Sequence, residues 1–258
     1  VGRMVMYFIS LGLHDEKDMS LKALEIAREC DLLFLELYTQ PMNTDKQKLE
    51  KLIGKKIKQL NRKEVEEEFE KILLEPAKTK KVGFLVGGDA FCATTHIAIR
   101  IEAMKRGIKT KVVHGSSIFS AIAETGLQIY KFGKVATVPF PERVKGTLPF
   151  SVYETIKNNK KLGLHTLLLL DVDIENKKLL EPRKAIEVLL RMEKVRKEKV
   201  ITENDWLIVL SDVGGKCSLV FDRASALTQE KMRTPAIIII PGRLHSVERE
   251  CLELACKN

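Results

Sequence analysis

The feature that most constrains this chain is a rhythm. Apolar runs of strand length alternate with segments of helical period through the first half. "MVMYFISL" (4–11) reads as a strand, and a helix follows from about Ser20, with Leu21, Leu24, Ala27 and Cys30 three apart. "LLFLEL" (32–37) is a second strand, apolar on the scale a parallel sheet buried on both faces requires. "DKQKLEKLIG" gives a short helix stopped by Gly54, and "KKIKQL" (55–60) reads as an edge strand. Asn61 with Glu64 three residues on is a capping-box signature for a helix running towards Pro76. A strand at 82–86, a glycine turn, a helix ending near Gly107 and "TKVVHG" (110–115) complete this half. Such β-α-β-α order implies a parallel sheet with right-handed crossovers.

The second half changes character. "SSIFSAIAETG" (116–126) reads as a helix with a serine cap and a closing glycine. "KVATVPFPERVKGTLPF" is too rich in proline and glycine for a helix and reads as strand plus loop. "HTLLLLDVD" (165–173), "DWLIVLS" (205–211), "CSLVF" (217–221) and "AIIIIP" (236–241) are four more strands. A helix around 182–197 separates the first two, and "SVERECLELAC" is a last helix. Fewer helices between strands point to a mixed sheet. The expectation is therefore two α/β domains, 4–112 and 117–258, the first with a mainly parallel sheet and the second with a mixed one. A chain of 258 residues is long enough to give each its own core.

Composition narrows the class. Hydrophobic residues at 45% and charged residues at 31% describe a soluble globular chain rather than a disordered one. No apolar stretch approaches the ~20 residues of a membrane helix. The opening "VGRMVMYFISLGLHDE" lacks the pattern of a signal peptide, and the residues ahead of Met4 read as a cloning remnant. The five cysteines, an odd number, fit a reducing cytoplasm better than a disulfide framework. Cys251 and Cys256 are five apart on the last helix and face different ways, no zinc-binding spacing occurs, and no metal is expected. A net charge of +9 favours an acidic partner. Yet the basic residues lie in stretches such as "RMEKVRKEKV" (191–200), mixed with glutamate and free of aromatics, which reads as a solvated helix face.

Ligands of open α/β sheets collect outside the carboxyl ends of strands. The turns that qualify are Leu11-Gly12-Leu13, Gly88-Asp89, Ser116-Ser117, Asp171, Asp212-Val213 and Pro241-Gly242. "VGGDAFCATTH" (86–96) has no lysine for a phosphate loop, and "SLGLHDE" has one glycine where a dinucleotide turn needs three. Asp89 would also repel a pyrophosphate. A carboxylate in a glycine turn suits hydroxyl or amino donors, or a cation. The alternative is that Asp89 caps a helix opening near Ala93. Chemistry alone leaves both open. Nucleophile patterns are weaker: there is no Gly-x-Ser-x-Gly elbow, and His114 beside Ser116 and Ser117 is not triad geometry. His96, one turn into its helix, reads as packed or solvated, and His165 and His245 likewise. Cys92 reads as a small apolar residue with some activation from a helix N-terminus, not as a nucleophile.

Longer segments carry more information. "YFISLGL", "GGDAFCATTHIAIRIEAMKRGI", "HGSSIFSAIAETGLQIYKFGKVATVPFP", "GLHTLLLLDV" and "PGRLHSVERECLE" together closely resemble the diphthine synthase family, of the tetrapyrrole-methylase-like class of S-adenosylmethionine-dependent methyltransferases. The resemblance runs in order over almost the whole chain from Met4. It implies two α/β domains of the tetrapyrrole methylase type with the ligand cleft between them, a homodimer, and S-adenosylmethionine as methyl donor. It also implies the substrate: the amino group on a modified histidine of translation elongation factor 2, in diphthamide biosynthesis. Carried over by position, the donor-contacting residues would be Leu13, Asp89, Cys92, Ser117, Ile118, Leu170, Val213 and Ala236. The chain departs from the family pattern where Ala90 replaces proline, Cys92 a common valine, and Ala236 a histidine of some members. The resemblance names no proton acceptor and implies no metal, membrane or direct nucleic-acid partner. Within the same fold, the alternative substrate is a tetrapyrrole or ribosomal RNA. Outside it, the alternative is a basic nucleic-acid-binding module.

Overall fold

The computed structural model describes residues 5–255. Met4, placed at the start of the first strand, and Cys256, on the last helix, lie outside them. The chain packs as two units, one reaching Phe119 and the other starting at Ser120.

In the first unit Val5–Ser10 (β1) leads through Leu21–Glu29 (α1) to Leu32–Glu36 (β2). Lys46–Ile53 (α2) follows and ends on Gly54, whose φ of 80° takes the left-handed stop that glycine allows. Lys58–Gln59 (β3) is the edge strand expected at 55–60. Arg62–Glu66 (α3) opens with the Asn61–Glu64 capping box, but the helix expected to run to Pro76 breaks at Glu67. A π-helical turn, Glu70–Leu74, then joins Glu75–Ala77 (α4). Pro76 has no N–H to offer Ile72, and its ring crowds that carbonyl, so a regular α-turn gives way to a wider one. Lys81–Val86 (β4), Ile97–Lys105 (α5) and Lys109–Val113 (β5) complete the sheet, and Ile118–Ala121 (α6) follows. The helix read over 116–126 is instead this single α-turn and a 3-10 turn, Ile122–Thr125, closed by Gly126.

The strands run parallel in the order β3-β2-β4-β1-β5. Their side chains alternate between two cores, as period two demands. Val5, Tyr7 and Ile9 pack with Ala23 and Ala27 of α1 and Leu49 and Ile53 of α2. Met6, Phe8 and Phe84 pack on the other face with Leu73, Leu74, and Ile99 and Ala103 of α5. The turn after β1 therefore leaves towards one face and the turn after its neighbour β4 towards the other. That divergence is a topological switch point at the carboxyl ends of β1 and β4, where open α/β sheets bind their ligands.

The second unit carries Ala136–Val138 (β6), Phe150–Lys161 (α7) and Thr166–Leu170 (β7). The sequence reading ended its proline-rich stretch at Phe150 and assigned no element to 151–164, where α7 lies. Yet Val152, Tyr153, Ile156 and Asn159 are buried at helical spacing just past Pro149. The strand read over 165–173 divides at Asp171, which accepts hydrogen bonds from Phe140 N–H (3.0 Å) and Arg143 Nη1 (2.6 Å). Beyond it, Val172–Asp173 (β8) pairs with Lys178–Leu179 (β9) in a separate hairpin. Pro182–Arg196 (α8), Trp206–Ser211 (β10), Ser218–Arg223 (β11), Ala224–Leu227 (α9), Ala236–Ile240 (β12) and Ser246–Ala255 (α10) follow. The sheet order is β11-β10-β12-β7-β6, antiparallel except for the parallel β6–β7 pair. An α/β fold with a parallel first sheet and a mixed second one is what the sequence implied.

Candidate functional site

At the switch point of the first sheet an isolated antiparallel bridge links the two turns beyond the parallel β1–β4 ladder. Leu11 N–H donates to Val86 O at 2.8 Å, and Gly12 and Gly88 then exchange two backbone hydrogen bonds, at 3.1 and 2.8 Å. Both glycines have positive φ, 88° and 66°, which explains why no side chain stands there. Buried Ser10 Oγ accepts Ala90 N–H at 3.0 Å, which pins the far side of the β4 turn. Gly115, after β5, lets a third turn close in: a Cβ there would meet Ser10 Cβ at 2.8 Å.

Asp89 sits where these turns converge and is 6% exposed. Its Oδ1 accepts Phe91 N–H at 3.1 Å, while Oδ2 accepts His114 Nδ1 at 2.9 Å and Gly115 N–H at 3.2 Å. Burial alone would push this carboxyl up. The hydrogen bonds from Phe91, His114 and Gly115 outweigh it and hold the group below the usual aspartate range, hence ionised. The helix-cap reading of Asp89 fails, because α5 starts only at Ile97 with His96 as its N-cap residue. His96 is therefore not one turn into a helix. Ala93, where that helix was expected to open, has φ 57° and lies in the loop. His114, read as a bystander, is the partner that ties the β5 turn to Asp89.

Cys92 lies beside both Asp89 and Ser117. Burial first, and the Asp89 charge with it, push the thiol up, partly offset by the Ser117 hydroxyl. With α5 opening beyond it, Cys92 lacks the helix-terminal activation expected of it and stays a thiol. Ser117 is buried, its Oγ accepting Phe119 N–H at 3.2 Å, and half-buried Ile118 opens α6. Leu13 is half-buried, and its carbonyl accepts Gln40 Nε2 at 3.1 Å. Leu13, Asp89, Cys92, Ser117 and Ile118 thus gather on the first unit around the Gly12–Gly88 pair.

The remaining three form a group on the second unit. Leu170 ends β7, Ala236 opens β12 opposite Ser211 at the end of β10, and Val213 lies in the turn just beyond. That turn is fixed by Asp212 N–H donating to Pro235 O at 2.8 Å, with φ 49° at Asp212 and 84° at Gly214. All three belong to one end of the second sheet.

Gln40, His114 and Gly115 were not singled out by sequence. The nearest signal was positional: His114-Gly115 follows a predicted strand, but only the strand order β4-β1-β5 brings it to Asp89.

The tetrapyrrole (corrin/porphyrin) methylase family model matches residues 5–204. A diphthine synthase of Methanosarcina acetivorans is 43% identical over 255 residues, covering 96% of this chain and 94% of that protein. One of Methanocaldococcus jannaschii is 40% identical over 259 residues, covering 98% and 100%. A diphthine synthase crystal structure superposes with a TM-score of 0.87 at 32% identity, covering 98% of this chain and 96% of its own. Identity at this level over both units, together with a shared fold, leaves no domain unmatched. The chain belongs to the diphthine synthase family, within the tetrapyrrole-methylase class of S-adenosylmethionine-dependent methyltransferases.

Proposed function

We propose that Leu13, Asp89, Cys92, Ser117 and Ile118 hold S-adenosylmethionine on the first unit, and that Leu170, Val213 and Ala236 contribute from the second. The observation that carries this reading is the buried, ionised Asp89 at the switch point, flanked by turns made almost wholly of backbone polar atoms. A sulfonium nucleoside offers the complementary chemistry: hydroxyl and amino donors, and a positive charge that a carboxylate attracts where a phosphate would be repelled. The three second-unit residues are assigned to the same ligand by resemblance alone.

The family's activity is methylation in diphthamide biosynthesis. Relatives matched over their full length are diphthine synthases, which disfavours the tetrapyrrole or ribosomal RNA alternative. The acceptor in our reading is the amino group of the modified histidine in translation elongation factor 2. A neutral amine attacks the sulfonium methyl in line with the departing sulfur. The protein's task is alignment and exclusion of water rather than bond polarisation. The same reading carries a homodimer and a cytoplasmic setting. Among the described residues, no helix is long and apolar enough to cross a membrane.

The test is calorimetry with S-adenosylhomocysteine on the wild type and Asp89→Ala. Loss of one charge-assisted hydrogen bond should weaken binding by about 1–3 kcal/mol. Equal affinities would reduce Asp89 to an organiser of the turns and overturn its assignment to the donor.

A further inference from the structure

Beneath the candidate donor site lies a buried acid–imidazole pair that no step above uses. Glu36 ends β2 with no exposed surface, and His96, 1% exposed, stands just ahead of α5. His96 Nε2 lies 2.9 Å from Glu36 Oε1. A carboxylate can only accept, so the imidazole donates. Glu36 also accepts the N–H groups of Tyr38 and Thr39 at 3.0 and 3.1 Å, and the Thr39 hydroxyl. His96 Nδ1, in contrast, is buried with no hydrogen-bond partner among the described residues. A core that needed only packing would be better served by an apolar side chain here, because a buried unpaired nitrogen works against folding. The pair is kept despite that cost, and its position gives a reason.

Each partner anchors one wall of the site. Through Tyr38 and Thr39, Glu36 fixes the segment that presents Gln40, whose amide donates to Leu13 O and whose side chain closes on Gly88. The same segment continues to Asn43, whose N–H donates to His14 O at 2.7 Å. His96 ends the loop that carries Asp89 and Cys92. Within that loop Thr94 Oγ1 donates to Ala90 O at 2.7 Å, and the His96 ring packs against Phe84 of β4 at 5.1 Å. The His96–Glu36 hydrogen bond thus adds a second tie, below the Gly12–Gly88 pair, between the wall holding Leu13 and the wall holding Asp89.

We propose that His96 and Glu36 are positioning residues for the methyl donor, bracing the segments behind the Leu13 and Asp89 turns, which the Gly12–Gly88 pair joins, without touching the ligand. The proposal rests on the donor-site reading above. Three full-length variants test it, His96→Ala, His96→Gln and Glu36→Gln, together with the His96→Ala/Glu36→Gln double variant. Each is titrated with S-adenosylhomocysteine and assayed for KM of the donor and kcat. With a hydrogen bond to a charged group lost, His96→Ala should weaken binding and raise KM roughly tenfold, with kcat falling far less. His96→Gln, which still brings an N–H towards Glu36, should recover most of the affinity. The double variant should bind no worse than His96→Ala, as expected of partners acting as a unit. Wild-type affinity in His96→Ala, alongside a lowered melting temperature, would show a brace for stability only and overturn the proposal. Failure of His96→Gln to recover affinity while folded would overturn it too. A wild type that does not bind S-adenosylhomocysteine would instead sink the donor-site reading, which keeps the two failures distinct.

Discussion

Single side chains in this protein do their work through hydrogen bonds that only burial makes decisive. Glu248 on α10 shows this most plainly. It is fully buried and accepts from Gln128 N–H (2.9 Å), His245 N–H (2.7 Å), His165 Nε2 (3.1 Å) and Lys131 Nζ. Burial alone would raise its pKa, but the Lys131 ammonium and these donors lower it from 4.5 to about 2. His165 accepts Gly242 N–H at Nδ1 (2.9 Å), and burial holds its pKa below the usual histidine range despite Glu248. The signs agree. A depressed acid contributes stability that is present above its unfolded pKa and lost as pH falls through the folded one. A depressed base makes the folded state resist a proton that the unfolded chain accepts. Stability should therefore drop as pH falls below about 6.5, and drop further from 4.5 towards 2, the carboxylate alone accounting for on the order of 3 kcal/mol. Glu248→Gln should flatten the lower part of that profile in urea titrations taken at several pH values. An unchanged slope would show that other carboxylates govern acid unfolding.

Elements succeed or fail as sequence predictions according to whether their signal is local. The Ser20 and Asn61 caps and the Gly54 stop were legible because capping is a matter of three or four adjacent residues. The widened turn over Glu70–Leu74 was not, because a proline's effect depends on the turn before it. Nor was the late start of α5, where Ala93 takes a left-handed conformation that no residue pattern announces. The site followed the same division. Asp89 stood out as an acid in a glycine turn, while its partners His114 and Gly115 come from a strand separated from β4 by β1. The closing of that third turn can be tested directly. Gly115→Ala places a methyl 2.8 Å from Ser10 Cβ, so the β5 turn must move away from Gly12 and Gly88. We expect a loss of about 1–3 kcal/mol in stability, from overpacking, and weaker S-adenosylhomocysteine binding in calorimetry. A variant as stable as the wild type would mean that the turn yields without strain.

Across the whole molecule the dominant long-range property is charge, +9 from 44 basic and 35 acidic residues. Some lysines are matched locally, as in Lys160–Asp205 at 2.9 Å and Lys78–Glu75 at 2.7 Å, and the 191–200 stretch read as a solvated helix face is mostly exposed. The excess still produces a field that speeds encounter with an acidic partner and fades once the screening length contracts to about 8 Å at physiological salt. In our reading that partner is the elongation factor. Its KM should rise as salt is increased, with kcat little changed, and a salt-independent KM would remove electrostatic steering from the account. The Gly12–Gly88 exchange has a mechanical corollary of its own. It sets an antiparallel bridge just beyond the ends of two parallel strands, so both loops are tied to each other rather than left with the freedom of a surface excursion. Neither glycine peptide can swing without dragging the other, and a donor arriving there meets a seat already set, leaving little ordering entropy to be lost on capture.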